Sequence, residues 1–586
     1  PLAGLNSPEH ESPALYELKR IVQVIYEKDY RFAQPPKMPT ISATAGDGEV
    51  ILTWDDIADT RTRDPFVGNI NDFEGYKVYR ATDKYMADPE IITDGYGTPT
   101  FKKPIYQCDL IDEYSGFTDF GLVNGTGYNL GNNSGITHIF VDNTVQNGRT
   151  YYYAIVAYDF GAPDIGPGIS PSENNTVIEL DEYENIRSIG KNIAIVTPHQ
   201  KAAGYIPPEV EIEENNTIGT GTVAPLIRAQ GSLNKGHDYV ISFDIDTVAT
   251  ISGYDNGIQY TTSGINVHDL TLGELVYSEN ATKYIGNNLI YRDTVDYWTL
   301  NPNTNISSDV FAGLQYEVSD YVETPEYSYE NSGWINGSGI MRVTPSMSEG
   351  IKMPWTYRIV FTDNDNEYVG IATSGTVRDE NGSSIGSLKI NNQAVNFYIQ
   401  NTSFVNESGD YDLMDIIIHD VNNNDVFDLY EDRVFVGATV GTRWRATAFV
   451  LDFQLSTETT IPNSGDVYQV DWKRPFFKTD SIRFSVNFIE DLDAEALSSS
   501  MDDIRVVPNP YVMSNMMEEA VTNPYLNQRR KIIFTNIPAQ CNIKIFTVSG
   551  VLVDEIKVNN SPENGLIHWD MLTRESLEIA AGMYIY

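Results

Sequence analysis

The stretch NGRTYYYAIVAYD, residues 147–159, carries the strongest structural signal in the chain. Asn147 and Gly148 are typical turn residues, and the aromatic and β-branched residues that follow favour an extended strand. Side chains of a strand point alternately to its two faces, so every second residue shares one face. The pattern predicts a strand with one apolar face, made by Tyr151, Tyr153, Ile155 and Ala157.

Runs of the same kind follow one another along most of the chain. They are short and alternating, and Gly, Asn and Asp separate them, as in EVILTW (49–54), GYKVYR (75–80), TYRIVFTD (356–363) and RKIIFTNI (530–537). Many short strands joined by polar turns are typical of β-sandwiches. The apolar residues of PALYELKRIVQVIYEK (13–28) recur instead at helical spacing. We therefore predict an all-β chain of several immunoglobulin- or fibronectin-like sandwiches in series, with a short N-terminal helix.

The composition limits the classes of partner. The chain has 586 residues, with 39 basic and 82 acidic side chains and a formal net charge of −43. A charge of this sign repels phosphate backbones, so we expect no nucleic-acid partner. The aromatic fraction of 11% is too high for a disordered acidic chain. With two cysteines there is no disulfide scaffold, and no apolar run has the length of a transmembrane segment.

Prolines and shifts of pattern divide the chain into predicted segments. Pro35 and Pro36 end the helical segment, and the length of the chain suits about four domains at roughly 150 residues each. We expect a helical segment and linker at 1–36, a first sandwich at 37–180, a second at 181–330, a third with a metal loop at 331–500 and a C-terminal domain at 501–586.

The first predicted sandwich carries residues in a characteristic order. Trp54 lies on an early strand, GYKVYR (75–80) follows, the Tyr-rich strand comes late, and PSENNTVIEL (171–180) closes the unit. This order resembles a fibronectin type III domain, and the resemblance implies a sandwich with Trp54 facing inward. A long insertion at about 82–140, rich in Gly, Asn and Asp, departs from that pattern. Such a loop could carry a binding site or could be padding.

The last segment contains a second set of motifs. They are Val507-Pro508-Asn509-Pro510, Ile543-Lys544-Ile545-Phe546, Ser549-Gly550, Trp569-Asp570 and Ala581-Gly582-Met583-Tyr584. Together they resemble the C-terminal immunoglobulin-like domain of proteins that the Bacteroidota type IX secretion machinery exports, and equally the related flagellar-hook-cap type fold. The resemblance implies an extracellular or cell-surface location. In that family one more strand follows the Gly-x-Tyr motif. We expect that this strand was either removed or omitted, or that a neighbouring copy supplies it.

The sharpest local pattern is HDVNNNDVFDLYEDR (419–433). Counted from Asp420, oxygen-bearing side chains fall at positions 1, 3, 5, 9 and 12 of the loop, the spacing of an EF-hand calcium loop. A residue at position 7 offers its backbone carbonyl, and Asp425 stands where such a loop usually has Gly. A strand-like run precedes the loop, so we expect a strand–loop calcium site; the alternative is a solvated Asn/Asp turn that binds no metal. Its predicted ligands are Asp420, Asn422, Asn424, Val426, Asp428 and Glu431.

The chain contains no sequence pattern of a known catalytic centre. None of its seven His residues is spaced for zinc, and no nucleophile-elbow or phosphate-binding glycine motif occurs. We therefore expect no enzyme activity; the one alternative is a carboxylate pair for glycoside hydrolysis, which depends on geometry and not on spacing. The first hypothesis is a secreted surface protein with a structural or adhesive role, which binds copies of itself or cell-surface components and could form a surface layer or filament. The alternative is the non-catalytic spacer or glycan-binding portion of a secreted hydrolase.

Overall fold

The computed structural model describes residues 33–586 except 90, 94–98, 124, 166–167, 281, 285–293, 297–305, 347–352, 364–367, 372–373, 375, 380, 387–388, 407 and 489–493, together with Lys19, Val22, Gln23 and Tyr26. The predicted all-β class is confirmed: antiparallel strands pack as sandwiches throughout the described chain. Most of the helix predicted at 13–28 lies outside the described residues. Short helices occur at Ile57–Arg61 and Ala494–Ser500, with 3-10 turns at Gln230–Ser232 and Met501–Asp503.

The first sandwich is built from two facing sheets around Trp54, which is 6% exposed. One sheet has the order Ile41–Ala45, Val50–Trp54 and Ile139–Asp142. The other has the order Ile193–Val196, Tyr151–Asp159, Phe73–Ala81 and Tyr106–Asp109. Two small hairpins project from this unit, formed by Ile91–Thr93 with Pro99–Lys102 and by Ile178–Leu180 with Ile186–Ile189.

Two features of the first sandwich differ from the sequence-based expectation. Its closing strand is Ile193–Val196, beyond the predicted boundary at 180, because a projecting hairpin interrupts the chain before the last edge is filled. The strand Tyr151–Asp159 is buried on both faces rather than one. Tyr151 and Tyr153 point into the sandwich core, whereas Tyr152 packs in a second cluster with Met86 of the insertion.

The insertion is packed against the outer face of the sheet. Lys77 lies on that face, and its Nζ is 3.5 Å from the ring centroid of Tyr128 in the insertion. Tyr128 donates a 2.7 Å hydrogen bond to Glu173, and the Tyr79 hydroxyl lies 3.2 Å from the same carboxylate. Burial is the main cause that lowers the pKa of Lys77 to about 8, partly offset by Glu173. The cation–π contact and the acid therefore stabilise a side chain that would otherwise face solvent.

The second sandwich is assembled from two separate parts of the chain. Its larger sheet has the order Glu209–Asn216, Ser481–Asn487, Asp238–Ile251, Tyr254–Asp269 and Glu274–Asn280, and its smaller sheet Thr222–Ile227, Leu314–Ser319 and Ile306–Ser307. A further hairpin pairs Thr282–Tyr284 with Thr294–Asp296. The sequence predicts Ser481–Asn487 as part of the third unit, but this strand pairs with Asp238–Ile251 and fills the core of the second sandwich with Ile482 and Phe484.

The third sandwich is therefore an insertion between two strands of the second. One sheet has the order Gly333–Asn336, Val467–Val470, Tyr357–Phe361, Phe397–Val405 and Tyr411–Leu413. The other has the order Arg342–Pro345, Arg443–Asp452, Arg433–Val440, Asp415–His419 and Lys389–Ile390. Two-stranded pairs flank it, Glu326–Tyr327 with Trp472–Lys473 and Tyr368–Val369 with Ala394–Val395. Tyr260, from the long hairpin of the second sandwich, is part of its core, so the two units share apolar contacts.

The C-terminal sandwich is small, with three strands in each sheet. The sheets have the orders Arg505–Val507, Ile532–Thr535, Ile567–Trp569 and Leu552–Asn559, Gln540–Thr547, Tyr584–Ile585. This unit packs back on the first sandwich. Glu184, on a projecting hairpin, accepts hydrogen bonds from the Thr522 hydroxyl at 2.8 Å and the Asn523 backbone at 2.7 Å. Backbone hydrogen bonds from Ala203 to Ile537 and from Gly565 to Gln200 join the C-terminal sandwich to the segment that follows the first sandwich.

Candidate functional site

The predicted calcium loop connects two neighbouring strands of the third sandwich, Asp415–His419 and Arg433–Val440. Phe427 and Leu429 are half-buried and pack against the core of that sandwich. The loop therefore does not project freely, because two of its own apolar side chains fix it to the sheet.

Asp420 opens the loop and is 2% exposed. Its carboxylate accepts hydrogen bonds from the backbone of Asn424 at 3.1 Å and of Asp425 at 2.8 Å. Asn423 and Asp425 both have left-handed backbone conformations, with φ of 57° and 59°. Asn and Asp tolerate this conformation better than most residues, which is how the turn forms without a glycine at its sixth position.

The remaining predicted ligands are distributed around the turn. Asn422 and Asn424 are exposed, and each accepts a backbone hydrogen bond from the residue two positions on. The Asn422 side chain also donates to the Glu431 carboxylate, so the third and twelfth positions of the loop meet. Val426 has an exposed side chain, and Asp428 accepts a 2.9 Å hydrogen bond from the Tyr430 backbone.

Asp432 is a residue of the loop that the sequence analysis did not select. It is 1% exposed, and its carboxylate accepts hydrogen bonds from the backbone of Val421 at 3.0 Å and of Asp428 at 2.8 Å. It thereby ties the two ends of the loop together. The EF-hand spacing places the last ligand one residue earlier, at Glu431, and only the burial of Asp432 distinguishes the two acids.

The oxygen atoms that the loop offers are of the kinds that calcium binds. Carboxylate, amide and backbone oxygens are the ligands that a hard divalent cation takes, and the contact between Asn422 and Glu431 brings distant positions of the loop together. In the structure, however, the buried carboxylate oxygens are used by backbone N–H groups. Among the residues the structure describes, no three His, Cys, Asp or Glu side chains converge in a way that would hold a metal ion.

A second candidate site is the open side of the C-terminal sandwich. The strand Gln540–Thr547 pairs along almost its whole length with Leu552–Asn559. On its other edge it pairs with Tyr584–Ile585 only at Phe546 and Thr547. Among the described strands, none pairs with the rest of that edge, from 540 to 545.

A groove of about 1000 Å³ lies between the two sheets and meets this edge at Ile545. Apolar side chains from both sheets line it, namely Val506, Phe534, Ile545, Trp569 and Tyr584. At its rim, Met513 is 86% exposed and Met583 is 76% exposed. Exposed apolar side chains around a groove mark a surface that can bind another chain.

The described part of the chain contains no helix long and apolar enough to cross a membrane.

Comparisons with known proteins do not identify a family for this chain. No protein-family model and no curated protein matches this chain. Seven chains of solved structure match, among them the flagellar hook junction protein FlgK from Burkholderia pseudomallei. The match has 11% identity, covers 52% of this chain and 45% of that chain, and has a TM-score of 0.12. The chain thus spans less than half of that protein, and a TM-score this low does not indicate a shared fold.

Proposed function

We propose that this chain is a secreted cell-surface protein with a structural or adhesive role, which associates with other copies of itself. The observation that carries the proposal is the unpaired edge at 540–545, which meets the apolar groove of the C-terminal sandwich at Ile545. An unpaired edge offers a row of backbone N–H and C=O groups, and an added strand satisfies them while its side chains fill the groove. The proposed occupant is a strand from a neighbouring copy.

The contacts between the sandwiches support a structural role. Arg474 lies at the junction of the second and third sandwiches, is 5% exposed, and donates hydrogen bonds to the carbonyl of Ile218 at 2.5 Å and of Pro354 at 3.1 Å. It also donates to the Thr356 hydroxyl at 2.8 Å. The guanidinium therefore bridges segments of both units. Buried polar junctions of this kind favour a stiff body over a flexible string of domains.

The net charge opposes association between copies of the chain. At −43, two copies repel each other over a distance set by the ionic strength, about 8 Å at physiological salt. The proposed association therefore strengthens with added salt and is driven by apolar contact in the groove. The same charge favours calcium as a cofactor, which we propose for the 420–431 loop, where it would stiffen the third sandwich.

We also propose that the chain is exported to the cell surface. The motifs from Val507 to Tyr584 that resemble type IX sorting domains support export by that machinery to the cell surface. The proposal assigns no catalytic step to the chain.

The proposed association is tested by sedimentation velocity on the purified chain over a range of concentrations. Met513→Lys with Met583→Lys places two charges at the rim of the groove, where both side chains are largely exposed, and is expected to abolish association without unfolding. Leu577→Lys is the matched control, since Leu577 is 65% exposed in the same unit but does not line the groove. Equal association of all three proteins would overturn the proposed contact.

A further inference from the structure

Three buried carboxyl groups meet at one end of the first sandwich. Asp72 precedes the strand Phe73–Ala81, Asp159 ends the neighbouring strand Tyr151–Asp159, and Asp64 lies in the turn before Asp72. They are 2%, 3% and 1% exposed, respectively. None of them is among the residues that the sequence analysis selected.

Two of the three are supplied with hydrogen-bond donors. Asp159 accepts from the backbone of Gly161 and of Ser172, both at 2.9 Å, and from the Ser172 hydroxyl. Asp64 accepts from the backbone of Phe66 at 2.8 Å and of Gln34 at 3.2 Å. Asp72 differs, because its Oδ1 is buried and has no hydrogen-bond partner in the described structure.

Within the part of the chain that the structure describes, no positive side chain compensates the three carboxyl groups. Among the described residues, no Lys, Arg or His nitrogen forms an ion pair with Asp64, Asp72 or Asp159. Burying an ionised carboxylate without a partner costs several kcal/mol in practice, so such a group binds a proton or a cation instead. Three like charges in one place raise that cost further.

The surroundings of Asp72 favour its neutral form. Burial is the main cause that raises the pKa of Asp72 from 3.8 to about 8, followed by the charges of Asp159 and Asp64. A hydrogen bond to the Asp64 carboxyl, which only the protonated form of Asp72 can donate, acts in the same direction. Burial likewise raises the pKa of Asp159 to about 7, against the hydrogen bonds from Ser172 and Gly161.

We propose that Asp72 is a neutral carboxylic acid near neutral pH, because it is buried beside Asp64 and Asp159 with an unpartnered Oδ1, and that it makes the first sandwich sensitive to alkali. The folded chain holds this proton at pH values where the unfolded chain has released it, so the folded state binds more protons. Stability therefore falls as the pH rises from the unfolded pKa near 3.8 towards the folded pKa near 8. Above that range the loss is complete.

The test is thermal melting of wild type and Asp72→Asn between about pH 5 and about pH 9. Asparagine keeps the shape and cannot ionise, so the melting temperature of the variant is expected to fall less with rising pH than that of wild type. Asp119→Asn is the control, because Asp119 is exposed in the same sandwich, and it should keep the wild-type slope. Parallel slopes for wild type and Asp72→Asn would overturn the proposal.

Two further measurements keep the proposal open to refutation. Infrared difference spectra of wild type with isotope-labelled Asp are expected to contain a protonated carboxyl band that disappears near pH 8, even if the variant fails to fold. If no protonated carboxyl band persists at pH values above those at which an ordinary Asp ionises, the assignment of a neutral Asp72 is wrong. A calcium-induced rise of the melting temperature that Asp72→Asn abolishes would also overturn it, because a cation and not a proton would then neutralise the group.

Discussion

His138 of the first sandwich places its Nδ1 3.1 Å from Oδ2 of Asp309 in the second sandwich. Its Nε2 lies 3.3 Å from Oδ2 of Asp59, which is fully buried. One imidazole thus lies between two carboxylates from different units. An imidazolium in this position compensates both acids and joins the first two sandwiches.

This contact predicts a stability that depends on pH. Burial alone would lower the pKa of His138, but Asp309 and Asp59 outweigh it and hold that pKa well above its ordinary value. The stabilisation is complete below the unfolded pKa of about 6.5 and is lost as the pH rises through the folded value. Asp309→Asn is expected to lower the melting temperature near pH 6.5. The melting temperature of this variant should also fall less than that of wild type as the pH rises. Identical profiles for wild type and variant, measured beside Asp119→Asn, would contradict the role of the contact.

Trp54 is predicted to be the main core anchor of the first sandwich. Its ring centroid is 5.7 Å from that of Tyr76, and its Nε1 has no hydrogen-bond partner among the described residues. Trp54→Ala should cost about 3–5 kcal/mol in the free energy of unfolding, as for other large core aromatics. Trp54→Phe should cost less, because it keeps much of the apolar volume and removes the unpaired N–H. Denaturant titration measures both, and a Trp54→Ala variant as stable as wild type would refute the assignment.

Calcium is predicted to raise the melting temperature through the 420–431 loop. Binding to the folded state alone adds about 2.7 kcal/mol at a hundredfold excess over Kd. Glu431→Gln should remove the calcium-dependent shift while leaving the melting temperature in chelator unchanged, because Glu431 is exposed. Glu458→Gln, an exposed acid of the same sandwich, should keep the shift. No shift in wild type would exclude calcium from the loop.

Arg474 is predicted to couple the unfolding of the second and third sandwiches. Lysine keeps the charge but cannot reach the Ile218, Pro354 and Thr356 oxygens together, so Arg474→Lys should cost at least about 2 kcal/mol. In calorimetry, wild type should show one unfolding transition for the second and third sandwiches together, and Arg474→Lys should show two. Arg443→Lys, at an exposed position, should melt as wild type does, and a single unshifted transition for Arg474→Lys would show that the junction does not depend on this side chain.

The features of the fold that depend on local sequence pattern could be predicted. Alternation identified the strands, and the burial of Trp54 follows from its place on an apolar strand. The left-handed backbone of Asp425 follows from the loop spacing in the same way.

The rest depends on contacts between residues distant in the chain. The pairing of Ser481–Asn487 with Asp238–Ile251 spans a whole inserted sandwich, and no local pattern encodes it. The contact between His138 and Asp309 has the same origin. Asp432 and Glu431 are adjacent acids, and only the packed structure buries the one and exposes the other.

The central proposal, a strand from a second copy on the open edge of the C-terminal sandwich, is tested most directly by backbone hydrogen exchange at residues 540–545. The account predicts that the N–H groups of this segment that point to the open edge exchange slowly at high protein concentration and fast on dilution, while the strand Ile532–Thr535 exchanges slowly at both. Exchange that is independent of concentration would contradict the account: uniformly slow exchange would mean that the edge is covered within one chain, and uniformly fast exchange that nothing pairs with it.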